Sequence, residues 1–361
     1  MSTLTTNYLA PTGREEAWRF TPLARVGGLL DAAVSLESVN SISITNPQEG
    51  VKLTVKSATD RPAISSSDDL ATIRGREFIE EISHIEVSNN AQLDQPLLLE
   101  RKNLTGKPQA SRTLISCGVN SHAVIILQNT GEAILSDEIE FEVAQGATLT
   151  FVSLQEWSGK TVHLGRQHAV ISKDATFNSI VVTVGGSLVR LLPTVEYSGP
   201  GSSADLQGLY FATDGQHLEH RLHVDHNVPN AKSRVNYKGA LAGDKAHTVW
   251  IGDVYIRSNA DGTDTYELNR NLLLSDGARA DSVPNLEIET GEIVGAGHAS
   301  TTGRFDDEQL FYLSSRGIPA DVARRLVVRG FFAEIVGKIR DEEIENRLMD
   351  RIDAELAKVG A

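Results

Sequence analysis

Small residues return along this chain at a nearly fixed interval. Ala147, Ala175, Ala204, Ala231 and Ala260 lie 28, 29, 27 and 29 residues apart, and each is followed by an apolar or strand-like run. A steady period of that size predicts coils stacked on one another, each burying its face on the next. The runs between, among them HAVIILQN, IEFEVA, TLTFVSLQ, FNSIVVTV, TVEYSG and TVWIGDVYI, are rich in β-branched and aromatic residues. Gly, Asn, Asp and Pro punctuate them, and no long helical pattern interrupts the region. The turns are small and repetitive rather than hairpin Asn-Gly or Asp-Gly pairs, which predicts a parallel β-helix in preference to a sandwich.

Three regions follow in a mainly β chain. Residues 1–95 are mixed: REEAWRF reads as a short helix that Pro22 ends, and Ser67–Ile82 as a second helix with Ser67 as its cap. In the first of these, Trp18 reads as a packed side chain beside a surface Arg19. Residues 96–304 form the β-helix, and residues 305–361 are helical. Pro319 opens one helix, with Val322, Leu326, Phe332, Ile335 and Ile339 at helical spacing. Ile344, Leu348, Ile352, Leu356 and Val359 form a stripe on the last. Such a tail either folds back on its own core or docks another subunit, and both readings stay open at this point.

The formal charge of −14, from 34 basic and 48 acidic residues, disfavours nucleic acid as a partner. No run reaches the length of a membrane span, and MSTLTTNYLAPTGREE has no apolar signal core, so a cytoplasmic protein is expected. The single cysteine, Cys117, makes no intrachain disulfide and no CxxC metal site, and reads as a small buried core residue. His217, His220, His223 and His226 look like a metal cluster at helical spacing. On a strand they split into two pairs on opposite faces, which argues against chelation. There is no P-loop, no GxSxG elbow and no carboxylate pair of glycosidase type.

His298 stands apart, in VGAGHAS, where small neighbours leave an imidazole open to an approaching surface. Downstream, Asp306, Asp307 and Glu308 place negative charge at a helix start, Leu310, Phe311 and Leu313 give an apolar face, and Gly317 supplies a left-handed close. The segment GRFDDEQLFYLSSRGI resembles the SufB/SufD family of iron–sulfur cluster assembly scaffolds, and most closely its SufD branch. EEAWRFTPL near the N-terminus is similar to the same branch. The resemblance spans nearly the whole chain and is strongest from Tyr237 to Ile339.

That resemblance implies a right-handed β-helix and a non-catalytic scaffold role. The implied partners are a SufB-like subunit, paired at the C-terminal end of the β-helix, and a SufC-like ATPase on the helical tail. It implies that His298 is a transient ligand to a nascent iron–sulfur cluster shared with SufB. Arg316, Arg329, Phe331 and Phe332 become the candidate partner-binding residues. No stably bound cofactor is expected; a reduced flavin in the complex and a homodimer of the isolated chain are both compatible with the family. Many SufD proteins carry a cysteine two residues before this histidine, where this chain has Ala296. The absence of cysteine from Asp264 to Gly317 separates it from SufB. The alternative is a carbohydrate-active β-helix enzyme, a lyase or hydrolase, which would cluster Asp, Lys and Arg on one face of successive coils.

Overall fold

The computed structural model describes residues 10–305 and 307–359, and the fold is a parallel β-helix with helices packed on one side. From Glu81–Val87 onward, successive strands go alternately to a ten-stranded and a nine-stranded sheet, so each coil gives one strand to each. His122, Thr148, Thr176, Ser203, Lys232, Asp264 and Gly295 occupy the same register position on successive coils. The coil therefore lengthens from 26–28 residues at first to 31–32 at the C-terminal end. The alanine period is real, but its members are not structurally equivalent throughout. Ala147, Ala175 and Ala231 precede a strand, Ala204 lies inside one, and Ala260 sits in a turn.

A second ladder sets the turns. Asn90, Asn120, Gly146, Asp174, Gly201, Asn230 and Gly262 all have φ between 55° and 74°. Left-handed backbone of this kind favours Gly, Asn and Asp. The N–H groups of Asn90, Asn120, Gly146, Asp174, Asn230 and Gly262 donate across to the next turn, as from Asn120 to Gln145 O and from Gly146 to Lys173 O. The turns are thus stacked by the same hydrogen bonding that stacks the strands.

Parallel stacking starts ahead of residue 96, because Glu81–Val87 pairs in parallel with Pro108–Cys117. The helix expected over Ser67–Ile82 is shorter: α1 runs Leu70–Phe78. Asp69, not Ser67, caps it, accepting from Thr72 N at 3.0 Å. Beyond Phe78, Ile79 is the C-cap of the helix and Ile82 belongs to the strand that follows, and both are buried. REEAWRF yields only a 3-10 turn, Glu16–Trp18.

Three further helices, α2 (Asp307–Ser315), α3 (Ala320–Val336) and α4 (Glu342–Val359), close the chain. Val328, Phe332, Ile335 and Ile339 pack with Ile344, Leu348 and Ile352 onto the outer face of the nine-stranded sheet, against Ile126, Val152, Ile180 and Leu209. Lys238 fastens α3 to the sheet, donating to Phe331 O at 3.0 Å and Glu334 at 2.8 Å. The tail folds back on its own core, at least through α3 and α4. Asp306, and the side chains of Asp307, Leu310 and Val359, lie outside the described residues. Gly317 ends α2 at φ 83°, with Ile318 N donating back to Leu313 O.

Candidate functional site at the open end of the helix

Among the described residues, no coil stacks on the last one. Arg279–Ile288 and Gly295–Arg304 are the terminal strands of the two sheets, so one backbone edge of each has no strand partner among the described residues. Unpaired parallel edges are templates for another chain. Around this end Tyr266, Ile288 and Val294 are exposed large hydrophobic residues, as are Phe311 and Tyr312 on α2.

His298 lies on the terminal strand Gly295–Arg304, paired in register with Glu267 one coil below. Register partners in a parallel sheet point the same way. Glu267 is itself in register with the core residue Val235, so both side chains belong to the inner face. His298 is 42% exposed because nothing stacks on it, whereas Glu267 is 1% exposed. His298 Nδ1 stands 3.7 Å from Glu267 Oε1. Burial first, and then the charge of Asp253, pushes the Glu267 carboxyl up to about 8. His298 is therefore a mouth residue of the helix interior, on a strand.

The remaining candidates are distributed differently. Arg316 is exposed and stacks over Tyr312, 5.0 Å from the ring centroid. Arg329 bonds Asp353 at 2.7 Å and so joins α3 to α4. Phe331 is half-buried, and Phe332 is completely buried under the sheet, which gives it a packing role inside this chain. Leu326, expected within the apolar stripe, is instead exposed. Spacing alone could not tell which of several apolar residues on α3 meets the sheet.

The four histidines of His217–His226 divide as alternation requires. His220 and His226 point inward, beside Tyr210 and Tyr197, at ring-centroid distances of 5.1 and 4.9 Å. His217 and His223 point outward, His217 to Glu219 at 3.0 Å and His223 to Tyr255. Cys117 is buried, and burial pushes its thiol up to about 12, so it stays protonated.

A cluster of charges on successive coils, the feature a lyase would need, is present on the outer face of the ten-stranded sheet. It is sealed by the N-terminal segment. Arg112 bonds Glu140 and the carbonyls of Arg61 and Pro62, and Arg166 bonds Glu138 and Ser66 O. Arg190 bonds Asp69 at 2.7 Å and lies 4.0 Å from the centre of the Trp18 ring. Thr21 donates to Glu219 at 2.8 Å. These ions clamp the segment from Trp18 to Asp69 to the β-helix and offer no surface to a polysaccharide. Arg19, beside the packed Trp18, is exposed.

A family model described as "SUF system FeS cluster assembly, SufBD core domain" matches residues 99–331. An iron–sulfur cluster assembly SufBD family protein of Mycobacterium tuberculosis is 47% identical over 96% of this chain and 89% of its own length. The chain belongs to the SufBD family. Another SufBD family protein, from Mycobacterium leprae, is 45% identical over 96% of this chain and 90% of the relative. The iron–sulfur cluster assembly protein SufD of Escherichia coli is 25% identical over 96% of this chain and 89% of that protein. SufBD membership makes this an iron–sulfur cluster assembly protein of the SUF system. No helix among the described residues is long and apolar enough to cross a membrane.

Proposed function

We propose that this chain is the non-catalytic, SufD-type scaffold of a cytoplasmic SUF complex, joined to a SufB-like subunit through the open C-terminal end of its β-helix. The observation that carries this reading is the coincidence of two unpaired strand edges with His298, exposed between them. A second β-helix meeting those edges would bring its own thiolates to the imidazole. A neutral imidazole is a good iron ligand. The nascent cluster is the cargo of this seam, shared across it and later released.

A SufC-like ATPase would dock on the tail. With Phe332 buried and Arg329 paired inside the chain, exposed Phe311, Tyr312, Leu326 and Arg316 are the residues left to meet it. ATP-driven closure of two such subunits would pull on the helices and open the seam around His298. No step runs through a flavin. A cleft of about 830 Å³ is lined by Glu86, Glu142 and a single lysine, Lys52, which suits a flavin phosphate poorly.

His298→Ala should leave the fold and the subunit ratio unchanged, since an exposed side chain carries little stability. It should lower iron and sulfide bound by the purified complex by about tenfold or more, as loss of a ligand requires. Full cluster content in an intact complex would sink the ligand role. Phe311→Glu should abolish capture of the ATPase while capture of the SufB-like subunit persists. Undiminished ATPase capture would move the docking surface elsewhere. Removing the whole tail is a poorer test, because it would strip the cover from Ile126, Val152 and Leu209.

A further inference from the structure

The strand Asp264–Leu273 sends Thr265, Glu267, Asn269 and Asn271 into the helix interior. Three of the four are hydrogen-bonded there. Thr265 bonds Ser233 at 2.5 Å, Asn269 donates to Tyr210 OH at 2.9 Å, and Asn271 donates to Asn269 Oδ1 at 2.7 Å. Glu267 is the exception: both of its carboxylate oxygens are buried without a hydrogen-bond partner. A buried carboxyl left unpaired is costly, and such groups in native structures mark a role.

The backbone makes room for it. Gly252 faces Glu267 from the opposite sheet, and a Cβ there would sit 2.2 Å from Oε2. Above it is His298, whose Nδ1 is 3.7 Å from Oε1. That is too long for a hydrogen bond. It is near the roughly 3.4 Å that separates two ligands each about 2.1 Å from one tetrahedral metal ion. An oxygen and an imidazole nitrogen together suit a borderline divalent cation. The chain's one thiol is remote from this end, on the strand Pro108–Cys117.

We propose that Glu267 and His298 form one divalent-metal site at the mouth of the helix, which would hold ferrous iron during cluster assembly. The remaining positions are open to water and to a partner's groups. No electron changes hands on binding. This deepens the ligand role given to His298 and rests on it.

Cobalt(II) is the probe, because its visible absorption reports coordination. Titrated into the full chain, it should bind at one site. Glu267→Gln and His298→Gln should each weaken that binding at least about tenfold, about 1.4 kcal/mol. Glu267→Gln keeps the shape of the side chain, and circular dichroism checks its fold. Cobalt binding by Glu267→Gln equal to wild type, or no binding by wild type at about 1 mM, overturns the site. Cluster content of the complex separates the two ideas. Normal assembly with Glu267→Gln but failure with His298→Ala removes Glu267 and keeps His298. Normal assembly with both removes both.

Discussion

Lowering the pH from 7 toward 4 should unfold this protein, and three buried histidines should drive it. Burial holds His168, His220 and His226 at about 3, 3 and 4, well under the usual 6.5. Above pH 6.5 neither the folded nor the unfolded chain protonates them, and they have no effect. As the pH falls through 6.5 the unfolded chain takes up three protons that the folded chain refuses until pH 3–4. Each histidine then costs about 3 kcal/mol at pH 4. Together they approach the whole stability of an ordinary domain. Glu219 adds to the loss at the acid end. Against the push of burial, its hydrogen bond with His217 and the charge of Arg190 hold it down to about 2.

Glu267 works in the opposite sense between pH 8 and about 4.5, so a difference measurement is the clean test. His220→Gln removes one such proton. Relative to wild type it should gain about 3 kcal/mol between pH 7 and pH 4. Urea unfolding at a series of pH values reads this directly. A wild-type-to-variant difference that does not change with pH would show that His220 does not govern acid stability.

Gly239→Ala should cost about 3 kcal/mol, the upper end of what forced overpacking of a core costs. Gly239 is in register with Tyr210, and Gly208 with Tyr237, so two tyrosines lie across two glycines on adjoining coils. A Cβ on Gly239 would stand 2.0 Å from Tyr210 Cε2 and 2.6 Å from Asn271 Oδ1. The ring has nowhere to go, because its hydroxyl is bonded to Asn271 at 2.8 Å and to Asn269 at 2.9 Å. Gly239→Ala combined with Tyr210→Leu should recover part of the loss that Gly239→Ala alone incurs. Wild-type thermal stability for Gly239→Ala would refute the packing described.

Much of the architecture was legible in the chain. Strand runs such as His122–Gly131 and His247–Ile256 announce themselves by composition, and a coil that repeats prints its period. The alanines carried that period only loosely, because alanine fits both a turn and a strand interior. The Asn, Asp and Gly residues from Asn90 to Gly262 carried it better, because left-handed backbone admits few other residues. The opposite facing of His217 and His220 followed from strand alternation alone. Helix limits were less legible: Asp69 and Ser67 are equally good caps in sequence, and the contact with Arg190, 121 residues away, favours Asp69.

The sequence by itself determined the coil, the tail and the presence of a histidine near the end of the last strand, since each depends on neighbours along the chain. Only the tertiary structure decided what those residues meet. It buried Phe332 and left Leu326 in solvent, because the sheet covers one side of α3 and spacing does not say which. It sealed Arg112, Arg166 and Arg190 beneath residues from the other end of the chain. It set His298 over Glu267, 31 residues earlier, with no further coil among the described residues to cover the imidazole. That pairing depends on the length of the intervening coil, a property of the closed turn that no local pattern records.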